Sequence, residues 1–233
     1  MCGRFNIISD PFTQLIMDIV NGELNILDAG FDLQTRYNIA PTENIPVLLK
    51  TADGEWDMRD MRWWLVPAWA SEPSVKYSMF NAKSETLSKS RAFQGPFKRS
   101  RCIIPASGYY EWTNEGGVKL PHLIEPENGH GFAFAGLWDR WQRDGKIIES
   151  CTVITGAAPN SMAQLHKRIP IHLNSSEIAT WLDVGATSAT LLEVLSPRLR
   201  SPLLITPLSS YVGNSRHKDA RCIEPLGDSW TIH

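Results

Sequence analysis

The chain has 233 residues, 42% of them hydrophobic, with a formal net charge of −2 at neutral pH. That length fits one domain or two small ones, and the apolar share is enough for a sizeable core. The slight negative balance excludes a general attraction to nucleic acid, so any such binding must come from a local basic patch.

In chain order, residues 3–9 read as a short strand. Asp10-Pro11 reads as the N-cap and first position of a helix. Phe12, Leu15, Ile16 and Ile19 carry that helix, at helical spacing, to about Val20. Residues 21–36 are mixed in polarity and read as a loop, and 36–42 as irregular because of its Asn and Pro content. Strands follow at 45–50 and 55–64 around a turn at Asp53-Gly54, then a Pro- and Trp-bearing loop at 67–76. Ser84 is placed to cap a helix reaching about Phe93. Short strands are expected at 101–105, 109–113 and 118–124, and a longer pair at 132–138 and 146–155 around Asp144-Gly145. A helix is expected at 159–166, ended by Pro170. Ser175 or Ser176 caps another to about Asp183, and a third covers 187–195. Strands at 203–207 and 222–225 close the chain. Many short strands with a few helices predict an α+β domain, mainly antiparallel, with a barrel-like core and flanking helices. With neither repeat nor linker, residues 1–233 read as a single domain.

Four cysteines (Cys2, Cys102, Cys151 and Cys222) are scattered without a CxxC pair, which points to a reducing compartment. The six histidines show no ligand spacing with them, so no metal or other cofactor is expected. His166 and His172 are separated by Pro170, which disfavours a shared helical face. Asp10, Pro11 and Gln14 interrupt the first apolar run, against a signal peptide, and no stretch approaches a membrane span of about 20 apolar residues. A soluble cytoplasmic protein, nucleoid-associated when bound to DNA, is the expectation.

Cys2 carries the most distinctive chemistry. Once Met1 is removed, residue 2 offers an amine and a thiol on adjacent carbons, a pair no internal cysteine has. The amine attacks an aldehyde to give an imine, and the thiol closes a five-membered thiazolidine. Unperturbed values of about 8 for the amine and about 8.5 for the thiol leave both nearly usable at neutral pH. The plain alternative is a small buried hydrophobe. Glu111, in Gly108-Tyr109-Tyr110-Glu111-Trp112, is flanked by aromatics that desolvate a carboxyl and suit it to proton donation. Against this, strand alternation turns Glu111 to solvent while Tyr110 and Trp112 pack inward. His166, of the residue type that most often serves as acid or base, sits beside Lys167 and Arg168, which suit a phosphate; a helix C-terminus bearing positive charge explains them equally. Asn81 suits an orienting amide or simple turn chemistry. Lys98-Arg99-Ser100-Arg101, with Arg4, Lys83, Arg91 and Arg168, suits a phosphate track or a solvated face. Trp63, Trp64, Trp69 and Pro41 suit base stacking or, for most of them, core packing.

Taken together these segments resemble the SOS-response-associated peptidase family, the abasic-site processing proteins. The resemblance runs from Met1-Cys2-Gly3-Arg4-Phe5 through Arg36-Tyr37-Asn38-Ile39-Ala40-Pro41-Thr42 and Asn81-Ala82-Lys83-Ser84-Glu85-Thr86. It continues through Arg101-Cys102 to Ile104-Pro105, Gly108 to Trp112 and His166-Lys167-Arg168-Ile169-Pro170 to Cys222-Ile223-Glu224-Pro225-Leu226. It implies covalent capture of ring-opened abasic sites in single-stranded DNA by a monomer. Cys2 forms the crosslink, Asn81 positions the amine and sugar, Glu111 shuttles protons, and His166 assists ring opening and strand cleavage or reversal. Arg4, Lys83 and Arg168 match phosphate contacts, and Pro41 with Trp69 a base-side wedge. The family name implies removal of Met1 by the protein itself. Lys83 stands where the family usually has Arg, Trp64 where Gly is usual, and Ile169 where Met is common. Two rival readings are an N-terminal-nucleophile amidohydrolase, which lacks its Arg-Gly-Pro-Asp-like segment here, and a non-covalent single-strand binder.

Overall fold

The computed structural model describes residues 2–23 and 34–233. In the first half these form β1 (Phe5–Ile7), α1 (Ser9–Val20), β2 (Arg36–Ile39), β3 (Asn44–Lys50), β4 (Trp56–Trp63), β5 (Asn81–Lys83) and α2 (Gln94–Arg99). Then come β6 (Arg101–Ala106), β7 (Gly108–Glu115), β8 (Val118–Pro126), β9 (Phe132–Arg143), β10 (Lys146–Ala157) and β11 (Arg168–Pro170). Helices α3 (Ser175–Leu182) and α4 (Ser188–Val194) precede β12 (Leu203–Pro207) and β13 (Trp230–Ile232).

Local chemistry sets the hairpins. Asp144 and Gly145 both have positive φ, as do Gly116 and Gly117, so each pair makes the two-residue turn whose twist matches its flanking strands. These turns register β9 on β10 and β7 on β8. Pairing then runs β10–β4–β3–β6–β9, and β9 returns to β10, closing a five-stranded barrel. Only the β10–β4 contact in that ring is parallel (Ser150 opposite Arg62, Cys151 opposite Trp63). Closure removes free edges, and the barrel strands are buried on both faces: Ile103 and Leu137 lie on one, Phe134 and Val153 on the other, all fully buried. A second sheet, β13–β12–β8–β7–β1–β2, lies against it.

Strand β7 is covered on both faces. Tyr109 meets Phe132 and Phe134 at ring-centroid distances of 5.6 and 5.9 Å in the main core. Tyr110 turns the other way, into a smaller cluster of Leu123, Leu208, Val212 and Cys222. The chain from 208 to 225 supplies that cover, held by Asn38. The Asn38 Nδ2 donates to the carbonyls of Val212, Asn214 and His217 at 3.0–3.1 Å.

Several expectations need correction. Helix α1 starts a residue before Asp10, with Ile8 at the N-cap and no side-chain cap bond. Arg36–Ile39 is a strand, because its backbone pairs with β1. The segment after Ser84 makes one 3-10 turn, Ser84–Thr86, and the helix falls later, at Gln94–Arg99. At 159–166 there is only a 3-10 turn, Asn160–Met162. At 222–225 the chain ends a 3-10 turn, Ala220–Ile223, and makes a single bridge from Pro225 to Leu208, and the last strand is Trp230–Ile232. Helix α3 is capped by Asn174, in a capping box with Glu177. Most of the predicted loop at 21–36 lies outside the described residues.

Candidate active site

The site forms where the start of the chain passes between the two sheets. Strand β1 pairs antiparallel with β7, Phe5 opposite Tyr109 and Asn6 opposite Gly108. Cys2 lies just ahead of that pairing and packs in the main core with Tyr109, on the face that Glu111 shares. The Tyr110 N–H donating to the Arg4 carbonyl at 3.0 Å extends the pairing. From the barrel side, β10 presents two flanking strands at its far end. Asn81 of β5 pairs parallel with Val153, and Arg168 of β11 pairs antiparallel with Ala157. His166 sits just before β11. One barrel strand thus positions Asn81 and His166, and the second sheet positions Cys2 and Glu111.

The contacts join all four. Asn81 Nδ2 donates to the Cys2 carbonyl at 2.7 Å. Glu111 Oε1 lies 3.9 Å from His166 Nδ1. That ring nitrogen also takes the Arg168 N–H at 3.0 Å, which fixes the imidazole. Cys2 is fully buried, and Glu111 is 4% exposed. Burial holds the Cys2 thiol well above its usual range, and the Glu111 charge pushes it the same way. Burial likewise raises the Glu111 carboxyl above the ordinary carboxylate range, while His166 pulls against it. Glu111 is therefore not the solvent-facing residue that simple alternation gives. Both faces of β7 are covered, and Glu111 shares the Tyr109 face.

The remaining candidates divide. Arg4 is turned inward: its Nη1 donates to Asn38 Oδ1 at 2.8 Å and to the Val212 carbonyl at 3.1 Å. It still lines a cleft of about 440 Å³ with Gly3, Trp112, Lys119, Ser210 and Gly213. Lys83 is exposed at the end of β5. Arg168 is bonded to Glu85 and Thr155. Trp69 is 49% exposed, with the Arg91 guanidinium 4.1 Å from its ring centroid and its indole N–H donating to the Arg91 carbonyl. Pro41 is half-buried in the turn after β2, where the next residue, Thr42, bonds Trp63. No bond of Trp69 or Pro41 among the described residues reaches the four central side chains. Of the basic run, Arg101 is buried and donates to four main-chain contacts, so it is no surface cation. Trp63 is core, its indole N–H donating to the Phe80 carbonyl.

Sequence reading missed Asn38, Glu85 and Thr155. The first two lay within quoted motifs, but their partners are far along the chain. No group of three or more His, Cys, Asp or Glu among the described residues is arranged to hold a metal ion. No helix among them is long and apolar enough to cross a membrane.

The chain belongs to the SOS response associated peptidase (SRAP) family, whose model matches residues 1–215. It is 32% identical to abasic site processing protein YoqW of Bacillus subtilis, over 96% of this chain and 99% of that one. It is also 32% identical to abasic site processing protein HMCES of Xenopus tropicalis, over 83% of this chain and 67% of that one. A crystal structure of a protein from Bacteroides thetaiotaomicron superposes with a TM-score of 0.79 at 21% identity, covering 97% of this chain and all of that one. A phage-related protein from Bordetella bronchiseptica gives 0.69 at 24% identity, covering 89% and 94%. At those identities the structural likeness is one of fold.

Proposed function

We propose that this protein processes abasic sites, capturing the ring-opened sugar in single-stranded DNA as a thiazolidine on Cys2. The observation that carries the reading is the convergence of Asn81, Glu111 and His166 on residue 2. Hydrolysis of the Met1–Cys2 bond consumes one water and frees the amine; the buried Cys2 thiol is the group available in this site for that autoproteolysis. The amine then attacks the aldehyde carbon at C1′, giving a carbinolamine. Protonated Glu111 donates to its hydroxyl, which leaves as water, and an imine remains. The sulfur adds to C1′ and the thiol proton passes to nitrogen, closing the ring. Glu111 is suited to that donation because burial favours its protonated form, and His166 lies 3.9 Å from it. Asn81 holds the Cys2 carbonyl and so fixes the direction in which the amine projects. If closure lags, the imine makes the C2′ protons acidic and the 3′ phosphate leaves by β-elimination, which is lyase activity. The names of the relatives YoqW and HMCES support the substrate class.

The test is a denaturing gel with an abasic single strand. Wild type should give a heat-stable protein–DNA band and Cys2→Ala none. A band of undiminished intensity from Cys2→Ala would end the proposal.

A further inference from the structure

Arg168 donates four of its five N–H groups inside the protein. Its Nε bonds Thr155 Oγ1 at 3.2 Å, and its Nη2 also bonds the Thr155 carbonyl. Its Nη1 and Nη2 reach the two carboxylate oxygens of Glu85 at 3.1 and 3.0 Å, a bidentate fork. That end-on fork is the geometry a phosphate group needs from the same guanidinium. Glu85 comes from the 3-10 turn Ser84–Thr86, immediately after exposed Lys83, and its side chain is 48% exposed against 17% for Arg168. The carboxylate is therefore on the solvent side of the fork. Thr155, on β10, already anchors the guanidinium from behind, so Glu85 is not needed to aim it.

We propose that Glu85 competes with the DNA phosphate for Arg168, and thereby sets how weakly the protein holds strands that carry no damage. The inference rests on the single-strand reading above and adds a residue that determines selectivity. A phosphate approaching Lys83 and Arg168 meets the like charge of Glu85 and must displace it. Undamaged strands leave quickly, and only covalent bonding to Cys2 retains a strand. The low pKa of Glu85, held down first by its bonds to Arg168, keeps the competitor charged at neutral pH.

The experiment measures anisotropy of a labelled, undamaged single strand with wild type, Glu85→Gln, Arg168→Gln and the double variant, each checked for an unchanged melting temperature. Glu85→Gln should tighten binding roughly two- to five-fold. It should also steepen the salt dependence by about 0.7 per released phosphate contact. The gain should vanish in the Arg168→Gln background. Unchanged or weaker binding by Glu85→Gln overturns the proposal, as does a gain that survives without Arg168. Because the strand is undamaged, the result is independent of crosslinking. Absence of a wild-type band with abasic DNA would sink the covalent reading and leave this one standing.

Discussion

Glu111 shows how one residue's surroundings decide its chemistry. A carboxyl on a two-face-covered strand is held toward its neutral form by burial. Its folded pKa lies above the unfolded value of about 4.3. Its contribution to stability is therefore fully present below that unfolded value and is lost as pH rises through the folded one. Glu111→Gln should accordingly be more stable than wild type at pH 8 and level with it near pH 4, read by urea unfolding at both pH values. The same variant should slow crosslinking by about 10²-fold, the usual worth of a proton donor. A wild-type rate would remove Glu111 from the proton path. At this scale much of the site was legible. Cys2 announced itself by the aminothiol, and the aromatic flanks of Glu111 signalled desolvation. Whether Tyr110 faced water depended on the 208–225 segment, and whether Glu111 did on the main core packed against the Tyr109 face; no local pattern at 108–112 reveals either.

At the scale of elements, long-range tethers matter more than local propensity. Asn38 sits in β2, yet its amide nitrogen serves three carbonyls more than 170 residues away and its oxygen takes Arg4. Asn38→Ala strands buried acceptors and should cost about 1–3 kcal/mol in urea unfolding. It should also slow crosslinking, because Arg4 and the chain start lose their support. Strand pairs with glycine turns were readable for the same reason that they fold locally. The predicted helices at 84–93 and 159–166 were not, because packing kept only a single 3-10 turn in each. Arg36–Ile39 became a strand only because β1 supplies a partner.

Across the whole molecule, a net charge of −2 leaves attraction for DNA to a few local cations. Lys83 and Lys167 are exposed, one at the end of β5 and the other just before β11. Non-covalent binding should fall with salt at a slope near −1.4, about 0.7 for each of two phosphates. Lys83→Gln should flatten that slope by about 0.7, which anisotropy titrations at several salt concentrations would read; an unaltered slope places the strand elsewhere. The barrel class was legible from the number of short strands. Its closure was not, because the parallel seam between β4 and β10 joins residues nearly ninety positions apart.

The enclosure of Cys2 bears on endurance. In the proposed function the protein spends itself in a single event and must survive until that event arrives. Peroxide and stray disulfides attack the ionised sulfur of accessible thiols. Here the sulfur stays protonated and walled in by protein, as do Cys102 and Cys151. The thiol that the proposed capture needs is thus stored in a form that oxidants reach slowly.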